Sequence, residues 1–183
     1  VVTSGYPFPC HKIIKIAVQY LWDAAIALSA FYLLSFYGFH KTMTDNIIYR
    51  TLHTPQEFKQ VQQLHISIWG DSLEGIISTR IMNATSHNGG VMIGAEDKDQ
   101  LIGFCFALPG KRDNDWFLWS QITGVSAKYR GQGIGFHLKQ EQRKWALVHD
   151  YSTIRWTFDP MRRGNAHFNM RLLAATSNMY RVN

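Results

Sequence analysis

The residues whose types and spacing bear most directly on chemistry are Arg130-Gly131-Gln132-Gly133-Ile134-Gly135. Glycine lets the backbone adopt turns that a side chain forbids and lets a ligand approach closely. The N–H groups of such a turn, and of a helix start after it, face outward and can donate to a phosphate. The segment therefore points to a pyrophosphate cradle. A dinucleotide fingerprint needs G-x-G-x-x-G after an early β-α-β unit; the spacing here is G-x-G-x-G and no such unit precedes it. A P-loop needs Lys and then Ser or Thr after its last glycine, where Phe136-His137 stands instead. A glycine-rich helix entry that holds no ligand stays open at this level.

The flanking elements must position this loop. Residues 47–52 read as a short strand. Thr54-Pro55-Gln56-Glu57 is a capping box with proline at the first helical position. Phe58, Val61, Leu64, His65 and Ile68 recur at helical spacing, so a helix runs to about Trp69 and Gly70 ends it. Residues 73–82 read as a shorter helix, and His87-Asn88-Gly89-Gly90 as a loop. Residues 91–96 and 101–108 are apolar runs around a hairpin at Asp97-Lys98-Asp99-Gln100. Residues 109–114 read as a further turn, 116–125 as a strand, and 133–149 as a helix with Ile134, Leu138, Trp145 and Val148 on one face. Residues 153–158 form a strand and 165–174 a helix. The order β-α-α-β-β-β-α-β-α predicts a mixed α/β sheet flanked by helices.

Composition sets outer bounds. Of 183 residues, 46% are hydrophobic and 14% aromatic, enough for a sizeable core. Cys10 and Cys105 offer no disulfide framework, and no metal-ligand spacing appears, so no metal is expected. A reducing cytoplasm is the plain reading for the globular part. The net charge of +6 suits an anionic partner, but the basic residues are scattered in pairs and no nucleic-acid motif stands out, so no nucleic acid is expected.

Residues 1–42 differ from the rest. From 13 to 39 the chain is almost wholly apolar and aromatic, broken by Lys15, Gln19 and Asp23. An apolar helix of that length can span a bilayer, which takes about 20 residues. That reading gives a membrane partner and a membrane-anchored location. The competing reading takes Met43-Thr44-Asp45-Asn46 as an ordinary start and residues 1–42 as non-native upstream sequence. Either way the chain divides into an N-terminal segment, 1–42, and a domain, 43–183.

R-x-x-G-x-G after a strand ending in Gly124-Val125 resembles the coenzyme A loop of the GNAT superfamily of N-acetyltransferases. Trp156-Thr157-Phe158-Asp159-Pro160 and Asn165-Ala166 resemble a largely bacterial, uncharacterised subgroup. The resemblance implies a sheet splayed near Val125 and Phe158, with acetyl-CoA as cosubstrate in the wedge. It puts the pyrophosphate on Arg130, Gly131, Gln132, Gly133, Ile134 and Gly135. It puts the pantetheine arm on Thr123 and Val125, and adds Asn165 as a further cofactor contact. A small-molecule or peptide amine would attack the thioester directly.

Departures from the family pattern are as informative. Met170 stands where the family often has an acidic tyrosine, and Ala174 where it has a glycine. Tyr180 follows nearby. Asp159 is the candidate base, with a turn-capping role as its competitor. Cys105 reads as a core residue. The family continues into two more strands, so the chain reads as truncated, with an exposed strand edge that invites self-association. The expected function is N-acyl transfer. The alternative is a degenerate module that binds acyl-CoA or a partner without turnover.

Overall fold

Two tight connections organise the central sheet. Lys98 and Asp99 adopt φ of 49° and 64°, the two positive values of the mirror-image turn that matches strand twist. Asp97 thereby pairs with Gln100. Asp113, at φ 55°, turns the next hairpin, closing Arg112 onto Asp115. The computed structural model describes residues 14–19, 46–70 and 75–182. Its strands are β1 (Ile14–Gln19), β2 (Ile48–Thr51), β3 (Val91–Asp97), β4 (Gln100–Arg112), β5 (Asp115–Val125), β6 (Ile154–Arg155) and β7 (Thr176–Val182). A five-stranded sheet has the order β2-β3-β4-β5-β6, antiparallel except for the parallel β5–β6 pair. β1 and β7 form a separate antiparallel pair, Ile14 opposite Val182.

Helices cover both faces. In α1 (Pro55–Trp69) the Thr54 hydroxyl accepts from the Glu57 N–H at 3.3 Å, and the Glu57 carboxylate accepts from the Thr54 N–H at 2.7 Å. This capping box satisfies donors that a helix start otherwise leaves free. Phe58, Val61 and Leu64 then face Met92, Phe104 and Phe106 on one side of the sheet, joined by Met82 of α2 (Thr79–His87). On the other side, α3 (Ile134–Val148) sets Ile134, Leu138 and Ala146 against Ile93, Cys105 and Leu118. Strand alternation explains the division, since successive residues of β3 and β4 face opposite helices. A last helix, α4 (Arg163–Ala166), widens into a π-helical stretch at His167–Leu172.

The structure departs from the sequence reading in places where contacts distant in sequence decide. α2 begins at Thr79, capped by Ser78, whose hydroxyl accepts from the Ile81 N–H at 3.3 Å; residues 71–74 lie outside the described residues. Pro109 and Gly110 do not turn the chain but continue β4, paired with Leu118 and Phe117. Leu118 spends its N–H on the Thr153 carbonyl of the β6 side. Pro109 also lies past the end of β3, so its missing donor takes no bond from that ladder. Gly110 leaves room for the Phe117 ring, which would lie 2.4 Å from an added Cβ. β6 is two residues long where 153–158 was expected.

The N-terminal expectation is corrected outright. Ile14–Gln19 is a strand paired with β7, not the start of an apolar helix. No helix among the described residues is long and apolar enough to cross a membrane. The membrane-spanning helix is therefore withdrawn, and with it the membrane partner and the anchored location that rested on it. The rest of that apolar run lies outside the described residues.

The end of α4 carries local strain. The Ala175 N–H reaches back to the Asn169 carbonyl at 3.0 Å, one residue further than in a Schellman closure, after a π-helical stretch. That closure holds Ala174 at φ 49°, in the left-handed region where a Cβ crowds the backbone. Ala174→Gly should therefore stabilise the fold by about 1 kcal/mol. Thermal or urea unfolding of the two proteins checks this, and an unchanged or lower stability would show that the site is unstrained.

Candidate functional site

A β-bulge opens the sheet. The β4–β5 register steps from Phe106 opposite Ile122 to Ala107 opposite Ser120, which leaves Gln121 as an extra residue on β5. Bulges bend and twist the strand that carries them. β6 pairs with β5 at Leu118–Ile154 and Trp119–Arg155, and the ladder stops there. β5 continues to Val125 with β4 on one side and, among the described residues, no hydrogen-bonded strand on the other. The Ser126 N–H bonds the Ile102 carbonyl of β4 at 2.8 Å. By alternation along the strand, the backbone groups of Val125 and Thr123 face the gap.

The chain beyond β6 swings away and is pinned elsewhere. Trp156 and Phe158 are buried, and the Trp156 indole N–H donates to Asn169 Oδ1 at 2.7 Å. Asn169 in turn donates to the Asn165 carbonyl at 2.8 Å. Asn165 is thus half-buried on α4, with its carbonyl engaged inside the helix.

The glycine loop closes the open end of the wedge. After a short turn at Ala127–Tyr129, Arg130 Nε donates to the Val125 carbonyl at 3.1 Å, and Gln132 Nε2 donates to the Lys128 carbonyl at 3.2 Å. These bonds fix the loop to the strand it follows. Gly131 and Gly133 adopt φ of 78° and 81°, which side chains rarely tolerate. An added Cβ at Gly131 would meet open space, so the loop surface is unobstructed there. His137 is the first residue to close a helical turn, onto the Gly133 carbonyl at 3.1 Å. Among the described residues the N–H groups from Gly133 to Phe136 meet no backbone acceptor, and no side chain caps the helix. Buried Ile134 anchors the helix start, and Gly135 lets it sit close to Val125 and Phe168. Free donors at the positive end of a 15-residue helix, on an open glycine surface, fit an anionic diphosphate.

Sequence reasoning missed two parts of the site. A cavity of about 330 Å³ lies between the α1–α2 connection and the bulge, lined by Gly75, Ile77 and Ile81 on one side and Gln121 and Ile122 on the other. The second part is a buried polar cluster where β5 and β6 part. The expected inner face of α3 included Val148, but Val148 is exposed and Lys139 and Gln142 are buried instead. Lys139 Nζ donates to Ser120 Oγ at 2.7 Å and to Gln142 Oε1 at 2.8 Å, and lies 4.2 Å from the centre of the Trp156 ring. Lys139 is 5% exposed. Burial pushes its ammonium down to about 8, with the nearby Cys105 pulling slightly the other way. Cys105 itself is fully buried, and burial raises its thiol to about 12.

Asp159 occupies the turn after the splayed segment. Its Oδ1 accepts from the Met161 N–H at 2.9 Å, and its Oδ2 lies 3.6 Å from Arg162 Nε. Met170 stands on the π-helical stretch of α4. Tyr180 belongs to β7, opposite Ile16, and its side chain lies outside the described residues.

The acetyltransferase (GNAT) family model matches residues 51–171, well over half of the chain. This chain belongs to the GNAT acetyltransferase family. Membership supports acyl-CoA-dependent acetyl transfer in general terms. Among curated proteins no match was found. Solved structures show the same fold. An aminoglycoside acetyltransferase from an uncultured soil metagenomic sample, in complex with sisomicin, aligns with a TM-score of 0.65 at 12% identity, over 75% of this chain and 95% of its own. An aminoglycoside antibiotic 6'-N-acetyltransferase from Acinetobacter baumannii aligns with a TM-score of 0.60 at 14% identity, over 73% and 93%. A ribosomal-protein-alanine N-acetyltransferase from Brucella melitensis biovar Abortus 2308 aligns with a TM-score of 0.55 at 14% identity, over 73% and 94%. In this GNAT domain the bulge, the parted strands and the glycine loop lie along one continuous edge.

The buried lysine generates a pH prediction. The Lys139 pKa falls from 10.5 in the unfolded chain to about 8 in the folded one. Between those values the unfolded chain binds more protons, so this group makes stability rise with pH. The cost of burying the cation is complete below pH 8 and is gone above 10.5, a change of roughly 3 kcal/mol. Chemical denaturation of the parent and of Lys139→Met across this range should show the parent gaining on the variant as pH rises. A constant difference between the two would mean that Lys139 titrates as a free lysine.

Proposed function

We propose that this domain transfers an acetyl group from acetyl-CoA to an amine acceptor, a small molecule or a peptide. The observation that carries the reading is the edge of β5 at Thr123 and Val125, which β6 does not pair and where Arg130 already engages the Val125 carbonyl; it leads directly onto the unpaired N–H groups of the α3 start. On this reading Gly131, Gly133, Ile134 and Gly135 hold the pyrophosphate through backbone N–H groups, with Arg130 and Gln132 bracing the loop. Thr123 and Val125 take the pantetheine amides as an added strand would be taken, and Asn165 borders the arm from α4.

The chemistry is a single displacement at the thioester. The amine nitrogen attacks the carbonyl carbon, and the carbon–sulfur bond then breaks with its electron pair leaving on sulfur. On this reading an N–H of the bulged strand stabilises the developing oxyanion, a preorganised contact that needs no reorientation. The nitrogen gives up one proton to a base and the thiolate gains one. We assign the base to Asp159, whose carboxylate is about one-third exposed beside the parted strands. The acceptor would enter by the cavity at Gln121 and Ile122, on the face of the sheet opposite α3.

A second reading keeps acyl-CoA binding without turnover. Met170, which cannot protonate a thiolate, stands where the family often has a tyrosine. A thiol-release assay over a panel of amines separates the two readings, since the enzyme releases free coenzyme A only when an acceptor is present.

Two substitutions test the assignment. Gly133→Glu places bulk and negative charge beside the phosphates and at a φ of 81°, so acetyl-CoA affinity measured by titration calorimetry should fall at least a hundredfold. Parent-like affinity would remove the loop from the site. Asp159→Asn should lower kcat by about 10²-fold, the usual weight of a general base, with acetyl-CoA affinity unchanged. If kcat holds and only the melting temperature drops, Asp159 is a turn cap alone.

A further inference from the structure

We propose that Lys139 determines which acyl chains this site accepts, by closing the floor of the wedge so that acetyl fits and chains of six carbons do not. The inference rests on the acyl-CoA reading above and extends it to the acyl group, which that reading leaves open.

The argument follows the direction of the site. The free helix donors lie beyond the Val125 end of β5, and the exposed strand edge runs back from Val125 through Thr123 to the bulge at Gln121. A thioester whose phosphates sit at the helix start therefore has its acyl end directed at the point where the strands close, Trp119 against Arg155. The next residue on each strand from that closure is Ser120 on β5 and Trp156 after β6, both about 6% exposed. Lys139 joins these two. Its ammonium bonds the Ser120 hydroxyl and lies against the Trp156 ring, so one side chain from α3 fills the apex between the strands.

Nothing in this floor yields easily. Trp156 is held by Asn169 at 2.7 Å, and Asn169 is held by Asn165. Lys139 is 5% exposed, and its second bond, to Gln142 Oε1, fixes it to its own helix. A longer acyl chain would have to expel the ammonium or press methylenes against it, stripping hydrogen bonds from buried polar groups without replacing them. An acetyl methyl ends before that conflict begins.

Titration calorimetry with free coenzyme A, acetyl-CoA, butyryl-CoA and hexanoyl-CoA tests the proposal on the whole chain. In the parent, hexanoyl-CoA should bind at least tenfold more weakly than acetyl-CoA. An open apolar floor would instead tighten binding about fourfold per added methylene, and equal or tighter hexanoyl-CoA binding would overturn the proposal. Lys139→Ala removes the obstruction, so its preference should reverse toward hexanoyl-CoA. A merely structural role would weaken all four ligands alike. Lys139→Met keeps the side-chain length and should keep the preference for acetyl-CoA; losing it would overturn occupancy of the floor as the cause. If Lys139→Ala does not fold, the parent series and Lys139→Met still decide. Absence of binding by both coenzyme A and acetyl-CoA would sink the acyl-CoA reading itself, whereas good binding with no discrimination by chain length would sink this inference alone.

Discussion

Two residue pairs, Leu118–Ile154 and Trp119–Arg155, hold β5 to β6, and the site depends on that ladder ending where it does. A parallel ladder left to itself would continue, because each further pair satisfies backbone groups that are otherwise exposed. The extra residue at Gln121 works against this by bending and twisting β5 just past the last pair. The cost is a strand edge that β6 leaves unpaired, with Arg130 on the Val125 carbonyl as a side-chain substitute. Such an edge persists when solvent or a ligand satisfies it, and here it is continuous with a helix start that is also short of acceptors. The sheet thus gives up several pairings at the place where a polar, extended ligand could supply them.

Two kinds of positive charge then divide the wedge. At its open end the charge is partial and comes from the backbone, through the N–H groups from Gly133 to Phe136 and the dipole of α3. Those groups are already oriented by the helix, so an anion need not order flexible side chains to be held. At the closed end the charge is a whole ammonium, Lys139, removed from water and bound to Ser120 and Gln142. Burial lowers its proton affinity, while the bonds and the Trp156 ring favour the cation. Both features sit on α3, one near its first turn and one a little over a turn further along, so the register of that helix on the sheet sets them together.

Local signals in the sequence were accurate where the cause is local. The capping box at Thr54–Glu57 needs four consecutive residues, and α1 begins there. The hairpin at Lys98-Asp99 and the inward row Phe58, Val61 and Leu64 depend on short-range pattern in the same way. The glycine loop and the element order around it were visible for this reason. The misread elements depend on partners far along the chain. Pro109-Gly110 has turn composition, but its strand pairing is decided by Phe117 and by the N–H of Leu118 pointing elsewhere. β6 reads as six residues long because residues 153–158 have strand composition, but the ladder ends at Arg155, beside the bulge that Gln121 makes far earlier in the chain. The inner face of α3 was drawn through Val148 because a lysine and a glutamine read as solvent residues. Their burial follows from Ser120 and Trp156 waiting on the sheet. The apolar run near the N-terminus had helical length, yet Ile14–Gln19 takes its place beside β7.

Three successive residues of β5 show how closely donor and acceptor are coupled on the proposed reading. Ser120 faces α3 and belongs to the floor of the wedge through Lys139. Ile122 packs with the cluster on the opposite face and lines the cavity by Ile77 and Ile81. Gln121, the bulged residue, stands between them with its backbone at the opening. An acyl group reaching the first and an amine entering past the last would meet at the second. A shift of one residue in the bulge would exchange the faces of the residues around it, turning the hydroxyl toward the acceptor and the isoleucine toward the lysine. The register of β4 against β5, held by the long ladder from Gly103–Val125 to Arg112–Asp115, is what prevents that exchange. The length of that hairpin therefore has a purpose beyond stability, because it fixes which side of the sheet each reactant approaches.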